Sequence, residues 1–298
     1  MKKRWTIGTR GSKLALRQTH IVTEGLQRQH PDYEFIIKTI KTTGDTVWNQ
    51  PLHLIGGKGL FVKEIEEQLL DKEIDMAVHS VKDLPAELEE GLHLGAVLQR
   101  EDPRDAFISS MGKKLLDIAA GSRIGTGSLR RKAQILNYNN TLEIVPIRGN
   151  IDTRLRKLET EKMDGIVLAA AGIKRMGLEK RITEVLPLDI MIPSCGQGAI
   201  GIEIRAEEDA IKLLEDLNDE KTFQEISIER KLLKMIGGGC HLPLGIHASI
   251  SSDNAVLLYI SMGGEDSRLS IHEHYAGDTE NIPLLISEAF QKIKKFLA

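Results

Sequence analysis

The sequence predicts an α/β protein of two related lobes, each with a mainly parallel sheet, followed by a C-terminal α+β domain with a small antiparallel sheet. Strand-like apolar segments alternate with amphipathic helices, which is typical of parallel sheets covered by helices on both faces. Two pairs of segments repeat in the same order, 7–12 with 124–131 and 74–80 with 163–169. After about Leu217, consecutive strands bracketed by helices replace the alternation and predict the antiparallel sheet.

The first lobe begins with a short apolar strand at 5–9, which leads into an amphipathic helix from Lys13 to about Gln29. The elements that follow are a strand at 34–41, a helix at 62–70 and a buried strand at 75–79 that an acidic turn introduces. The longest irregular stretch is 43–59, rich in glycine, and a loop of that length is usually functional or disordered.

The second lobe repeats this order after a glycine-rich turn that opens a helix near residue 128. Its further elements are a strand at 143–147, a helix at 150–158 and a strand at 165–169. The C-terminal elements are a helix at 222–235, strands at 245–250, 256–262 and 269–274, and a helix at 283–297. With crossings between lobes at 102–105 and 192–194, the predicted domains are 1–99 with 194–217, 100–193, and 218–298.

The composition is that of a soluble globular chain. It has 298 residues, 41% hydrophobic and 28% charged, and two or three domains are expected at this length. The net charge of −3 argues against nucleic acid as a partner, which usually requires a strongly basic domain. The basic start runs straight into a strand without an apolar signal region, and no apolar run approaches the ~20 residues of a membrane span. We therefore expect a cytoplasmic protein without a membrane partner.

The polar residues that stand out fall where predicted strands end. In open α/β sheets, ligands bind beyond the carboxyl ends of strands, beside helix N-termini whose amides favour anions. The residues at such ends are Arg10, Ser12, Ser80, Lys82, Asp83, Thr126, Ser128, Arg130, Arg131, Arg148 and Arg175. The cations together imply a ligand with several carboxylates or phosphates, each charge-assisted contact contributing roughly 1.5–3 kcal/mol.

Several of these residues have a structural alternative. Ser12 and Ser128 are good helix N-caps. Arg154 flanks an apolar helical stripe, so a solvated face is its default interpretation. Arg130 and Arg131 could be surface charge, but two cations in a first turn oppose the helix macrodipole, and that cost makes sense if an anion sits there.

Asp83 is a carboxylate among these cations. One interpretation is an N-cap or turn residue ahead of Pro85. The other is a functional group that donates a proton or faces a cationic intermediate.

Cys240 follows a run of three glycines at 237–239, which strips side chains from around the thiol. It is either a small buried hydrophobe, as free cysteine most often is, or a displayed group for covalent chemistry. With only one other cysteine, at 195, a disulfide framework and CxxC metal sites are excluded. Segments 56–59 and 125–130 fail as nucleotide-binding motifs, and the histidines lack metal-ligand spacing, so no metal is expected.

Nine motifs, in order along nearly the whole chain, carry a family resemblance. They are TRGSKLAL (9–16), GGKGLFVKE (56–64), AVHSVKDLP (77–85), REDPRDAF (100–107), GTGSLRR (125–131), RGNIDTRL (148–155), LAAAGIKRMG (168–177), CGQGAIGIE (195–203) and GGGCHLPLG (237–245). The chain resembles the porphobilinogen deaminases, also called hydroxymethylbilane synthases. A VHSxKDLP loop, a GTxSLRR helix start and a glycine-flanked cysteine in this order are highly specific.

The resemblance implies the fold, the cofactor and the reaction. In that family the first two domains are similar to the lobes of periplasmic binding proteins, and a third domain carries a cysteine in thioether linkage to a dipyrromethane. The matching residue is Cys240. The enzyme makes this cofactor from its own substrate and uses it as a primer. Four porphobilinogen units are added head to tail with loss of ammonia, and hydrolysis releases hydroxymethylbilane.

The resemblance also implies roles for residues. Asp83 would be the catalytic carboxylate that assists departure of the ammonium and stabilises positive charge. Besides Cys240, the residues implied to bind the cofactor are Lys82, Ser128, Arg130 and Arg131. Those implied to bind substrate are Arg10, Ser12, Lys58, Ser80, Thr126, Arg148, Arg154 and Arg175. The 43–59 loop corresponds to a segment expected to act as a lid.

Two positions depart from the family pattern. Gly127 stands where many members have serine, which removes one hydroxyl, and Cys195 stands where an aliphatic residue is common and is interpreted as structural. The resemblance further implies a monomer that passes its product to uroporphyrinogen III synthase. Two rival classes are a ligand-binding protein or regulator effector domain with the same two-lobed fold, which has no use for a displayed thiol, and a nucleic-acid-binding protein that uses Arg130 and Arg131.

Overall fold

The computed structural model describes residues 3–46, 62–237, 242–264 and 269–297. In these ranges the strands are β1 (Arg4–Arg10), β2 (Glu34–Ile40), β3 (Met76–Ser80), β4 (Leu92–Val97), β5 (Asp105–Ser109), β6 (Arg123–Gly125), β7 (Glu143–Val145), β8 (Gly165–Ala169), β9 (Glu184–Val185), β10 (Ile200–Arg205), β11 (Leu244–Ile250), β12 (Ala255–Gly263) and β13 (Leu269–Asp278). The α-helices are α1 (Lys13–Gln29), α2 (Thr43–Thr46), α3 (Lys63–Leu70), α4 (Leu129–Tyr138), α5 (Ile151–Thr160), α6 (Ala170–Arg175), α7 (Glu208–Leu214), α8 (Glu220–Met235) and α9 (Ile282–Leu297).

The chain divides into two compact units, Met1–Glu101 with Ala199–Gln224, and Asp102–Gly198 with Glu225–Ala298. The first unit holds a sheet in the order β2-β1-β3-β10-β4. In it, β1 is parallel to β2 and β3, whereas β10 is antiparallel to β3 and β4. One face of the sheet packs with α1 and α7 around Ile7, and the other packs with α3 around Ile74.

The second unit contains a sheet in the order β7-β6-β8-β5-β9. Here β6 is parallel to β7 and β8, and β5 is antiparallel to β8 and β9. The two sheets correspond strand by strand. In sheet order, β7, β6, β8, β5 and β9 take the places of β2, β1, β3, β10 and β4. The prediction of two related lobes with mainly parallel strands is therefore confirmed, and each sheet has one antiparallel strand at the same place.

The repeated acidic turns fasten the third strand of each lobe to the first. Ile7 is the register partner of Met76 in one lobe, and Ile124 is the partner of Gly165 in the other. Asp75 Oδ2 accepts a hydrogen bond from the Thr6 amide at 2.8 Å. Asp164 Oδ2 accepts one from the Arg123 amide, also at 2.8 Å. An aspartate at the equivalent position of each lobe therefore links the first and third strands in the equivalent register.

The C-terminal sheet is an antiparallel meander, β11-β12-β13, that packs with α8 and α9 around a core of its own. Two glutamates one turn apart on α8 cover the edge of this sheet that β11 forms. The Ala248 amide donates to Glu229 Oε1 and the Ile250 amide to Glu225 Oε1, each at 2.9 Å. Because unpaired edge amides invite pairing with other chains, these carboxylates also protect the edge.

Two glycines let this sheet approach the lobe within the second unit. A Cβ on Gly245 would lie 2.8 Å from the Ile192 carbonyl oxygen, and one on Gly263 would lie 2.9 Å from Ala133 Cβ on α4. The Ile246 amide donates to the Pro193 carbonyl at 2.9 Å. The C-terminal sheet and the lobe of the second unit are therefore in direct contact. The predicted division into domains at 193 and 218 stays a prediction.

Some predicted elements change. The stretch predicted as irregular from 43 begins with α2, while 47–61 lies outside the described residues. The segment 102–105, predicted as a crossing, ends where β5 begins at Asp105. The strands β4, β5, β9 and β10 were not predicted, and neither were α6 and α7.

We predict that removing either turn carboxylate destabilises its lobe. Asp75→Ala or Asp164→Ala should lower the free energy of unfolding by roughly 1–3 kcal/mol, since each leaves a strand amide without its charged acceptor. Urea unfolding followed by circular dichroism measures this. Asp32→Ala, at an exposed position, is the control and should change little. Equal stability of all three variants would contradict the proposed fastening.

Candidate functional site

A cleft opens in the first unit at the carboxyl ends of β1 and β3. Its lining residues are Arg10, Ser12, Leu14, Ala15, Gln18, Val62, Val78, His79, Ser80 and Asp83. Four of the predicted site residues, Arg10, Ser12, Ser80 and Asp83, are therefore brought together in one place. Lys82 lies in the same 3₁₀ turn as Asp83, half-buried, but is not part of the lining.

The predicted N-caps are confirmed in both lobes. Ser12 caps α1, and its Oγ accepts from the Ala15 amide at 3.2 Å. Ser128 caps α4, and its Oγ accepts from the Arg131 amide at 3.4 Å. A capping hydroxyl accepts through oxygen and keeps its own proton to donate. Capping therefore leaves ligand binding by both serines chemically open, and that role stays a prediction.

Gln18 positions the Ser80 hydroxyl and was missed in the sequence. Its side chain is 3% exposed, and its Nε2 lies 2.8 Å from Ser80 Oγ. The amide therefore links α1 to the residue that ends β3. The available signal was a polar residue on the helix face that also carries Val22 and Leu26, both fully buried.

Asp83 ends the 3₁₀ turn Val81–Asp83 and is half-buried at the cleft. In the part of the chain that the structure describes, its carboxylate makes no ion pair and caps no helix. The turn interpretation therefore holds for its backbone and the capping interpretation does not. A half-buried carboxylate facing a cleft is suited to stabilise positive charge on a ligand.

The corresponding strand ends of the second lobe hold Thr126, which is buried, and Ser128. Thr126 Oγ1 accepts from the Ser128 amide at 3.2 Å, which shapes the turn before α4. A Cβ on Gly127 would lie 2.6 Å from the Ile147 carbonyl oxygen. This glycine therefore lets the turn approach the segment that leads to Arg148 more closely than a serine would.

Arg130 and Arg131 are buried, 5% and 6% exposed, and both face Asp105. Arg130 Nη1 lies 2.8 Å from Asp105 Oδ2, and Arg131 Nη2 lies 2.7 Å from Oδ1. Gln197 Nε2 donates to the same Oδ1 at 3.0 Å. The sequence predicted an anion beside this pair of cations, and Asp105 is one such anion. It was missed because it fell in a segment predicted as a crossing.

The charges in this cluster depend on one another. Burial alone would raise the pKa of Asp105, but the two guanidinium groups outweigh it and hold that pKa well below the usual range. Burial lowers the pKa of Arg130, and the Asp105 charge opposes that shift. Arg130 Nη1 also donates to the Ile192 carbonyl at 2.7 Å, and Arg131 Nη1 to the Val167 carbonyl at 2.9 Å.

The other predicted arginines are half-buried in the second unit. Arg154 Nε donates to the Gly149 carbonyl at 2.7 Å, which ties α5 to the turn after Arg148. Arg175, at the end of α6, donates through Nη2 to the Gly198 carbonyl at 2.5 Å. Arg154 is therefore not on a fully solvated face. Binding of a ligand by these arginines stays a prediction.

The predictions for three further residues, Lys58, Cys240 and Cys195, have different outcomes. Lys58 and Cys240 lie outside the described residues. Cys195 packs against the C-terminal core, in agreement with its structural interpretation. Among residues 3–46, 62–237, 242–264 and 269–297, no group of His, Cys, Asp and Glu is arranged to hold a metal ion. None of the helices in those ranges combines the length and apolarity needed to cross a membrane.

The chain matches two family models. Residues 5–213 match "Porphobilinogen deaminase, dipyromethane cofactor binding domain", and residues 223–290 match "Porphobilinogen deaminase, C-terminal domain". The chain is similar to periplasmic binding proteins of known structure, with low TM-scores and low sequence identity. One is a TRAP periplasmic solute binding protein from Desulfovibrio salexigens, with a TM-score of 0.45 and 9% identity over 74% of each chain.

Curated relatives are similar over almost their full length. The porphobilinogen deaminase of Syntrophus aciditrophicus is 46% identical over 288 residues, which cover 96% of this chain and 94% of the relative. That of Carboxydothermus hydrogenoformans is 47% identical over 281 residues, covering 94% and 90%. That of Syntrophomonas wolfei is 45% identical over 292 residues, covering 98% and 94%. The chain therefore belongs to the porphobilinogen deaminase family.

Proposed function

We propose that the chain is a hydroxymethylbilane synthase. This transferase joins four porphobilinogen units head to tail on a cysteine-bound dipyrromethane primer, releases ammonia at each addition, and hydrolyses the product to hydroxymethylbilane. The observation that carries the proposal is the match of 5–213 to the dipyromethane cofactor binding domain. The cleft supports it, because Arg10, two hydroxyl groups and Asp83 line one opening, a combination suited to a ligand with both carboxylates and an ammonium group.

The donor set of the chain fits a dipyrromethane, whose pyrroles carry acetate and propionate groups. Cations and hydroxyls stand at the strand ends of both lobes, where carboxylates are favoured. We assign the thioether bond to Cys240, and the binding of the cofactor carboxylates to Lys82, Ser128, Arg130 and Arg131. When bound, the dipyrromethane supplies the primer to which substrate units are added.

Asp83 is the proposed catalytic residue. Its carboxylate binds the ammonium group of the substrate before the carbon–nitrogen bond breaks. As ammonia leaves, the substrate becomes a cation whose charge is spread over the pyrrole, and the nearby carboxylate stabilises it. Because Asp83 is half-buried, this attraction acts at a lower effective dielectric than in bulk water and is correspondingly stronger.

Arg130 and Arg131 are proposed to act on ligand carboxylates together with Asp105. The two guanidinium groups carry two positive charges and Asp105 offsets one of them. One net positive charge therefore remains, fixed in position by the buried contacts. Such a pre-oriented charge binds a carboxylate without the entropy loss of ordering a flexible side chain.

The remaining proposed substrate contacts bind carboxylates of porphobilinogen and the growing chain. They are Arg10, Ser12, Lys58, Ser80, Thr126, Arg148, Arg154 and Arg175. We further propose that the enzyme acts as a monomer in the cytoplasm, without nucleic acid or membrane, and passes hydroxymethylbilane to uroporphyrinogen III synthase. The 43–59 loop is proposed as the lid.

Replacing Asp83 should abolish most turnover without unfolding the chain. Asp83→Asn keeps the size of the side chain but removes the charge, and kcat should fall about 10²–10⁴-fold. Steady-state consumption of porphobilinogen measures this, with circular dichroism as the check on folding. The exposed Glu90→Gln in the same segment is the control and should retain the wild-type rate. A near-wild-type rate for Asp83→Asn would overturn the assigned role.

The covalent cofactor gives a direct test of the proposed function. Intact-protein mass spectrometry of the purified wild type should show an added mass equal to two pyrrole units. Cys240→Ser should lack this adduct, because the thioether cannot form. Cys195→Ser, which changes the other cysteine of the chain, should keep it. A wild type that never acquires the adduct, even after incubation with porphobilinogen, would contradict the proposed function.

A further inference from the structure

Three ionisable side chains lie buried together behind the cleft of the first unit. His79 on β3 is 5% exposed, Glu66 on α3 is 3% exposed, and Glu203 on β10 is 0% exposed. The strand register pairs Glu203 with Ala77 and Gly201 with His79, so Glu203 and His79 lie on the same face of the sheet. Glu66 comes from the helix that packs on that face.

The contacts within this cluster leave several buried polar atoms without a hydrogen-bond partner in the described part of the chain. His79 Nε2 lies 3.0 Å from Glu203 Oε2, a charge contact without regular hydrogen-bond angles. In the described part of the chain, Glu66 Oε1 and both Glu203 oxygens have no hydrogen-bond partner. Two carboxylates can hydrogen-bond to each other only if one is protonated. A proton on Glu66 would supply this bond to Glu203.

The chemistry of Glu66 agrees with this arrangement. Burial, and then the negative charges of Glu203 and Glu89, raise the pKa of Glu66 to about 7. The Glu89 backbone amide, which donates to Glu66, opposes the shift. The charge of Glu66 therefore changes by one as the pH passes from below to above neutrality. Above it, the buried region behind the cleft carries one more negative charge.

The cluster borders the site through His79, a residue of the cleft lining together with Arg10 and Asp83. The charged groups that face Glu66 are Glu203 from β10 and Glu89 from the turn before β4, with His79 behind Glu203. The mechanism proposed above assigns none of these glutamates a role.

We propose that Glu66, Glu203 and His79 form a proton-storing cluster that sets the electrostatic potential of the Asp83 cleft. The cluster forms no bond to substrate, and its glutamates are positioning residues. Loss of the stored proton to solvent adds a negative charge behind the cleft, which stabilises the cation formed when ammonia leaves. Turnover therefore increases as the cluster ionises. This inference rests on the proposed function, because it concerns the same cationic intermediate.

The first test is the pH profile of kcat for the wild type, Glu66→Gln and the control Glu67→Gln, a neighbouring exposed position. A group with a pKa near 7 is about one tenth ionised at pH 6 and about nine tenths at pH 8. The wild type and Glu67→Gln should therefore gain up to about tenfold in kcat over this range, with KM little changed. Glu66→Gln, fixed in the neutral state, should lack this rise and be slower at pH 8.

The second test observes the proton without turnover. Difference infrared spectroscopy should detect the carbonyl band of a protonated carboxylic acid that disappears with a midpoint near pH 7 in the wild type and is missing in Glu66→Gln. A wild-type pH profile retained in Glu66→Gln, or a wild type without this band, would overturn the proposal. A wild type that shows the band but turns over no porphobilinogen at any pH would instead contradict the proposed function, and with it the catalytic role of the cluster.

Discussion

Two arginines lie buried side by side in the first turn of α4, and the second unit is organised around the carboxylate that faces them. The carboxylate oxygens of Asp105 lie within 3.0 Å of side-chain nitrogens of Arg130, Arg131 and Gln197. These contacts join the start of β5, the start of α4 and the segment after Ile192. Burying such charges is favourable only when they are paired and hydrogen-bonded, so the position of each group depends on the others. Within the second unit, this cluster ties the start of α4 to β5 and to the Val167 carbonyl of β8.

The proposed chemistry places opposite charges in different parts of the site. Cations fixed at strand ends are proposed to hold the carboxylates of the pyrroles, while Asp83 is proposed to face the developing positive charge. Buried charges behind these residues add a second layer of control, Asp105 in the second unit and Glu66 with Glu203 in the first. In each unit, the buried carboxylates are proposed to change the electrostatic potential at the site without contacting the substrate.

Local signals in the sequence predicted local structure well. The α1 helix begins and ends where Ser12 and the apolar spacing indicate, and β8 has its predicted bounds. The strand β10 was not predicted, and its antiparallel direction could not be read from a buried apolar run, because direction is set by long-range pairing with β3 and β4. In the site, the charged residues at strand ends were identified, but their partners Gln18 and Asp105 were not. Both partners contact residues distant in the sequence. Gln18 is 62 residues from Ser80, and Asp105 is 26 residues from Arg131.

The most direct test of this account is the stability of Asp105→Asn beside Asp102→Asn, measured by urea unfolding at neutral pH. Asp105→Asn keeps the shape of the side chain but leaves two buried guanidinium groups without their counter-charge, and should cost about 3–5 kcal/mol. Asp102 pairs with two cations that are more exposed, Arg104 and Lys174, so its loss should cost clearly less than the loss of Asp105. A wild-type stability for Asp105→Asn would contradict the claim that this carboxylate holds the arginines in place.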